Sequence, residues 1–301
     1  MPEGAYNVRV VETRRSREIW MYGKRHVPDT TPKVRRPSRP LDELEPHELL
    51  EREIRRRKYY KDRQHIIRRL VDRNYVDGLS KFVTLTYAEA PDWGRKFRSL
   101  PEAYRWIQGE WDLDTGRFVG GHLAEFQAYL DRCTADFEDF IAVLRELKGE
   151  PIQYLCVWEI QAERLEKHGD LVLHWHFMGF NMPYVAKDVL RRLCWKDRGF
   201  VDIQLIQDKT AAGRYVAKYF GKGFVEGGRF GRRAYRRSRG VCNPDEWVDD
   251  LDAEQVQCAI ESLGECYGNE YQTPMGEAIR YFSVPLDDGL DSGKERLRSS
   301  R

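Results

Sequence analysis

Long apolar runs are missing from this chain. No stretch reaches the roughly 18 residues that a membrane-crossing helix needs, and the polar N-terminus carries no apolar signal-peptide core. The expected setting is the cytoplasm, with no membrane partner. Closely spaced cysteine pairs are missing too. The six cysteines (Cys133, Cys156, Cys194, Cys242, Cys258 and Cys266) contain no C-x-x-C, which argues against a zinc ribbon or finger and fits reduced thiols. There is no G-x-x-x-x-G-K-[ST] loop, so nucleotide hydrolysis is not expected. No internal repeat is present.

Charge, by contrast, is abundant: 33% of the 301 residues are charged, yet the net charge is only +2. The average hides segregation. Residues 1–78 hold 20 Lys/Arg against 13 Asp/Glu, residues 205–240 hold 10 against 2, and residues 241–301 hold 5 against 14. A basic middle beside an acidic tail points to an anionic partner, or equally to charge pairing within the chain.

Four regions follow from the pattern. Residues 1–46, rich in Arg, Pro and Thr, read as a flexible basic arm. Residues 47–78 read as a charged helix with a narrow apolar stripe (Leu49, Leu50, Ile54, Ile66, Ile67, Leu70), a surface helix rather than a dedicated DNA-binding one. Residues 79–240 form the main domain, with an insertion at 91–150, and residues 241–301 an acidic C-terminal extension. Within the main domain, "KFVTLTYAEA" (81–90) alternates like a strand. A loop-like 91–121 precedes a long amphipathic helix over 121–150, closed by Gly149 and Pro151. Strands follow at 152–161 and 171–180 around a polar loop, then a helix at 183–199 and a strand at 200–207. A short helix at 209–223 ends at Gly221 or Gly223. This order predicts an α+β fold with its helices largely on one face of the sheet.

"LVLHWHFMGF" (171–180) is an apolar strand carrying two histidines. Alternation puts His174 and His176 on one face and Trp175 on the other. Folding 152–180 as a hairpin turning near Glu166 and Lys167 sets Glu159 opposite His174, on the same face. Two imidazoles and a carboxylate then converge, a donor set that suits Mg²⁺, Mn²⁺ or Zn²⁺ with positions left for water and a phosphoryl oxygen. Gln161 is the reserve ligand, and His168 is placed in the exposed loop. The plainer alternative leaves both histidines as hydrogen-bonded strand residues.

"RYVAKYFGK" (214–222) spaces Tyr215 and Tyr219, and Lys218 and Lys222, four apart, so each pair shares a helix face. A tyrosine can attack phosphorus when a cation favours its phenolate, and adjacent lysines hold phosphates. The pair could equally pack the helix on the sheet. Tyr235 then sits among Arg232, Arg233, Arg236, Arg237 and Arg239, a mixture suited to single-strand binding.

Taken together, "FVTLTY" (82–87), "HWH" (174–176) and "YVAKYFGK" (215–222) resemble, in order, the three motifs of the HUH endonucleases, the rolling-circle replication initiators of small phages and plasmids. The likeness is strongest to the two-tyrosine type of tailless single-stranded-DNA phages and covers residues 80–240. The resemblance implies an α+β fold: an RRM-like or ferredoxin-like palm of about five antiparallel strands, here with a helical N-terminal extension. It implies His174, His176 and Glu159 as ligands of Mg²⁺ or Mn²⁺. It also implies Tyr215 as first nucleophile, Tyr219 as second, and Lys218 near the scissile phosphate. Arg214, Lys222, Arg232, Arg233, Arg236 and Arg237 are the expected DNA contacts. The implied reaction nicks single-stranded origin DNA, leaving a 5′-phosphotyrosine and a free 3′-hydroxyl, and later rejoins strands. Host helicase and polymerase are the implied partners. A transposase or relaxase with the same core, and a non-catalytic RRM-like nucleic-acid binder, are the alternatives.

Overall fold

β-Branched and aromatic residues alternate with smaller or polar ones through four segments of the main domain, and on an extended backbone they separate into two faces. The computed structural model describes residues 5–27, 44–206 and 212–286, apart from positions 113, 116, 183, 234, 274 and 275. Its elements begin with β1 (Tyr6–Glu12), β2 (Ser16–His26), α1 (Pro46–Asn74) and β3 (Lys81–Tyr87). Then come α2 (Leu100–Gln108), β4 (Gly109–Asp112), β5 (Arg117–Gly120), α3 (Leu123–Lys148), β6 (Tyr154–Ile160) and α4 (Ala162–His168). After β7 (Leu173–Gly179) follow α5 (Lys187–Val189) with a π-turn at Leu190–Cys194, β8 (Gly199–Leu205), α6 (Ala212–Arg229) and β9 (Arg236–Arg237). The chain closes with β10 (Asp245–Asp249), α7 (Ala253–Glu261), β11 (Tyr267–Gln272) and β12 (Ala278–Pro285).

Two compact units result. The larger takes residues 38–71 and 75–241. Its five-stranded antiparallel sheet runs β8-β3-β7-β6-β9. One face presents Val83, Leu85, Trp158, Trp175 and Phe177, all buried under α2 and α3 in a core that includes Phe126, Phe137 and Phe140. Trp175 stacks on Phe137 with ring centroids 4.7 Å apart. The other face presents Phe82, Leu155, Val157 and Met178 beneath Val216 and Phe220 of α6 and Ile67, Leu70 and Val71 of α1. Helices therefore cover both faces, not mainly one. The sheet is apolar on each side over most of its area, and each side demands its own cover.

Several local expectations change. The loop-like 91–121 contains α2, capped by Ser99 accepting from the Glu102 amide and burying Ala103 and Ile107, together with the β4-β5 hairpin. The polar loop of 162–168 is a helical turn, α4, ended by Gly169 in the left-handed region at φ 72°. The helix expected over 183–199 shortens to α5 and its π-turn. α3 ends as its sequence predicts, with left-handed Gly149 at φ 77°.

The smaller unit takes residues 1–37, 72–74 and 242–301. Its sheet, β10-β1-β2-β12-β11, joins both ends of the sequence. Val8, Val10, Ile19 and Met21 are buried there against Trp247, Phe282 and Val284 and against Val256, Ala259 and Ile260 of α7. The flexible arm expected over 1–46 is thus a β-hairpin across Tyr6–His26, while residues 1–4 and 28–43 lie outside the described ones. The acidic extension expected over 241–301 likewise contains three strands and a helix between Asp245 and Pro285, while residues 287–301 lie outside the described ones. The sheet cannot be read locally, because besides each other β1 and β2 pair with β10 and β12 from the far end of the chain. Among the described residues, no helix is long and apolar enough to cross a membrane.

Candidate metal centre

β6 and β7 pair in the register expected from the hairpin, with Glu159 opposite His174 and Val157 opposite His176. Residues directly opposed in an antiparallel pair point to one face, so Glu159, His174 and His176 meet above the sheet. Their ligand atoms lie within 4.8 Å of one another. His174 Nε2 is 3.4 Å from Glu159 Oε1, and His176 Nε2 is 3.5 Å from Glu159 Oε2. Those separations satisfy none of the three groups. Glu159 Oε2, His174 Nε2 and His176 Nε2 are each buried without a hydrogen-bond partner among the described residues.

Three orphaned donors aimed at one point are costly unless something fills it. Two imidazole nitrogens and a carboxylate fit a divalent ion, and the shifts at Glu159 and His176 agree with that. Burial would raise the Glu159 carboxyl, but His174 and His176 outweigh it and bring it down to about 2. Burial holds His176 below its ordinary range, against the pull of Glu159. An ionised carboxylate and a neutral imidazole are the forms a metal takes. Thr84 Oγ1 lies 3.2 Å from His176 Nδ1, which fixes the ring so that Nε2 faces the cluster. Gln161, the reserve ligand, opens α4 with its side-chain oxygen buried and unpartnered. His168 is exposed at the end of α4, as expected.

α6 crosses this face diagonally. Near its start, the Tyr215 hydroxyl donates to Gln204 Oε1 of β8 at 3.1 Å. One turn on, Tyr219 packs its ring 4.9 Å from that of His176 and 5.0 Å from that of Tyr215. Lys222 then reaches Glu159, Nζ to Oε1 at 3.6 Å. Helix and sheet come this close because Gly223 has no side chain: a Cβ there would lie 2.1 Å from Val157 Cγ2 and 2.5 Å from the Trp158 carbonyl oxygen. The sequence predicts that Gly221 or Gly223 ends the helix, and neither does. Both serve close packing, Gly221 against Gln64 of α1, and α6 continues to Arg229. The stretch 207–211, where the helix was expected to start, lies outside the described residues.

Beyond the ring of ligands, Glu226 of α6 is buried, its carboxylate accepting from the Ile160 amide at 2.6 Å and the Tyr104 hydroxyl at 2.9 Å. Burial is the main reason its carboxyl is pushed up to about 8, with Glu159 adding to the rise. Burial and the Tyr219 phenol likewise push Tyr215 up to about 12. Thr84, Gln204 and Glu226 were missed in the sequence. For the first two the strand register is the only signal, and Glu226 has none.

The basic residues divide. Arg214 and Lys218 are exposed on α6, and Lys222 borders the Glu159–His174–His176 cluster instead of open surface alone. Arg232 pairs with Asp131 at 2.8 Å and Arg236 with Glu138 at 2.6 Å, both acids on α3. Those two arginines are thereby engaged on the side of the sheet opposite the histidines. Arg233 and Arg237 are exposed, and Arg237 sits opposite Leu155 at the far end of β6 from Glu159.

A family model described as replication-associated protein ORF2/G2P matches residues 123–224. The match supports a rolling-circle replication initiator. It runs from α3 into α6, so it contains Glu159, both histidines and both tyrosines, and it points to replication, origin DNA and nuclease activity in general terms. No curated protein and no solved structure matches the chain.

Proposed function

We propose that this protein nicks single-stranded origin DNA by tyrosine attack at a metal-bound phosphate, as an HUH endonuclease of the two-tyrosine type. The observation that carries the reading is the convergence of three unpartnered donors beside a helix bearing two tyrosines and two lysines. Glu159, His174 and His176 would hold Mg²⁺ or Mn²⁺. Such an ion polarises a phosphoryl oxygen and stabilises the charge that develops on it.

The chain's own residues do the rest. Lys218 and Lys222 neutralise the approaching backbone, and Thr84 keeps His176 oriented. Tyr215 attacks the phosphorus, its phenolic proton is released, and the P–O3′ bond breaks. The products are a 5′-phosphotyrosine and a free 3′-hydroxyl that can prime a host polymerase. Tyr219, nearer the ligands, performs the second cut after a round of synthesis. Tyr215 holds its proton, so a nearby cation must favour the phenolate, and the proton passes through solvent while the leaving 3′-oxygen takes one up.

Incubating the protein with a labelled, randomised single-stranded DNA pool and Mn²⁺ should yield an adduct that survives SDS. Tyr215→Phe combined with Tyr219→Phe should abolish it, and His174→Ala should remove its metal dependence together with the activity. An adduct that persists in the double variant overturns the nucleophile assignment. Metal-independent DNA binding with no adduct supports the non-catalytic binder instead.

A further inference from the structure

Among the described residues, the diagonal path of α6 leaves the β8 corner of the histidine-bearing face open, while Glu159, His176 and Val157 nearer β6 are buried. Register defines that corner. One row across the strands runs Glu159, His174, Thr86, Phe200, and the next runs Val157, His176, Thr84, Asp202. The third row, Met178, Phe82 and Gln204, lies under the helix or bonded to it: Phe82 is 3% exposed, and Gln204 accepts from Tyr215. Phe200 differs. It sits on the edge strand β8 with 65% of its surface exposed, where its same-face neighbours on that strand, Asp202 and Gln204, are polar. What sets Phe200 apart is its place, at the open end of the row that carries Glu159 and His174.

We infer that Phe200 is a stacking platform for a nucleobase of the single strand, next to the phosphate held at the metal centre. The inference rests on the proposed nicking function and names a subsite within it. Three observations favour single-stranded DNA as the occupant. Two strand spacings separate Phe200 from His174, about 10 Å, which keeps it within reach of a nucleotide flanking that phosphate. Between them the floor is Thr86, polar and partly open, which suits a strand lying across it more than an apolar partner. The rim carries two exposed lysines, each facing a carboxylate whose place a phosphate can take: Lys222, 61% exposed and 3.6 Å from Glu159, on one side, and Lys187, 63% exposed and 3.5 Å from Asp202, on the other. Aromatic faces stack any base, while flanking lysines follow the backbone.

The test uses the full-length protein and a fluorescent oligothymidylate, titrated in EDTA so that binding is read without chemistry. A second oligothymidylate carrying 5-iodouracil is photocrosslinked and the attachment site mapped by mass spectrometry. Phe200→Ala should weaken binding by about 5- to 150-fold, the loss expected for one base stack. Phe200→Trp should restore it, crosslinking should fall on Phe200, and Mn²⁺ affinity should not change in either variant. If Phe200→Ala binds like the wild type, or if the crosslink maps elsewhere, the platform is refuted. The two ideas fail separately. A wild-type protein that forms an adduct while Phe200→Ala is silent in binding sinks the platform alone. A protein that never forms an adduct, yet loses affinity through Phe200→Ala, sinks the nicking reading and keeps the platform.

Discussion

Replacing Glu226 with glutamine should make the protein more stable, and increasingly so as pH rises. In the folded chain its carboxyl stands at about 8 instead of the ordinary 4.5, chiefly because it is buried. A carboxyl raised on folding keeps its proton in the native state at pH values where the unfolded chain has already released it. Its contribution is therefore intact below about pH 4.5 and lost progressively as pH climbs through 8. Between pH 5 and pH 9 that loss comes to about 4 kcal/mol. Glutamine is neutral throughout and can keep both contacts. Its amide oxygen accepts from the Ile160 N–H, and its amide group donates to Tyr104, whose hydroxyl turns around. Urea unfolding of the wild type and Glu226→Gln at pH 5, 7 and 9, with chelator present, isolates this contribution: groups that do not face Glu226 cancel in the difference, and Glu159, brought down to about 2, stays ionised across the series. The gap should widen in favour of Glu226→Gln by about 4 kcal/mol across the series. Parallel curves would show that Glu226 is already ionised in the native protein and would refute the reasoning.

Four further variants test the same geometry. Gly223→Ala must push α6 off Val157 and the Trp158 carbonyl, so it should cost about 1–3 kcal/mol in thermal or urea unfolding and reduce adduct formation with it. Thr84→Val removes the hydroxyl beside His176 Nδ1 and should lower Mn²⁺ affinity about 10- to 100-fold by calorimetry while the fold stays intact. Lys218→Met should lower the slope of log K against log salt for single-stranded DNA by about 1. Arg232→Met should leave that slope unchanged, because Asp131 already engages Arg232.

Much of the candidate metal centre was legible in the order of residues alone. A strand's period of two puts His174 and His176 together, and a hairpin can set Glu159 opposite only one of them, so local chain geometry sufficed. α3 and its glycine stop were legible for a similar reason: amphipathic period and left-handed cap are both local. Where the sequence misled, the deciding contact was remote. Gly221 and Gly223 look like helix stops, yet they are the places where α6 meets α1 and β6. Residues 6–26 look like an arm, yet they pair with β10 and β12 from the other terminus. Arg232 and Arg236 look like a DNA-binding run, yet carboxylates on α3 hold them. By itself the sequence determined which side chains share a face, because that depends only on backbone period. Only the tertiary structure decided which of those faces is covered and which is open, because cover comes from elements distant along the chain. That distinction buries Phe82, brings Lys222 to Glu159, and leaves Phe200 in solvent beside the histidines.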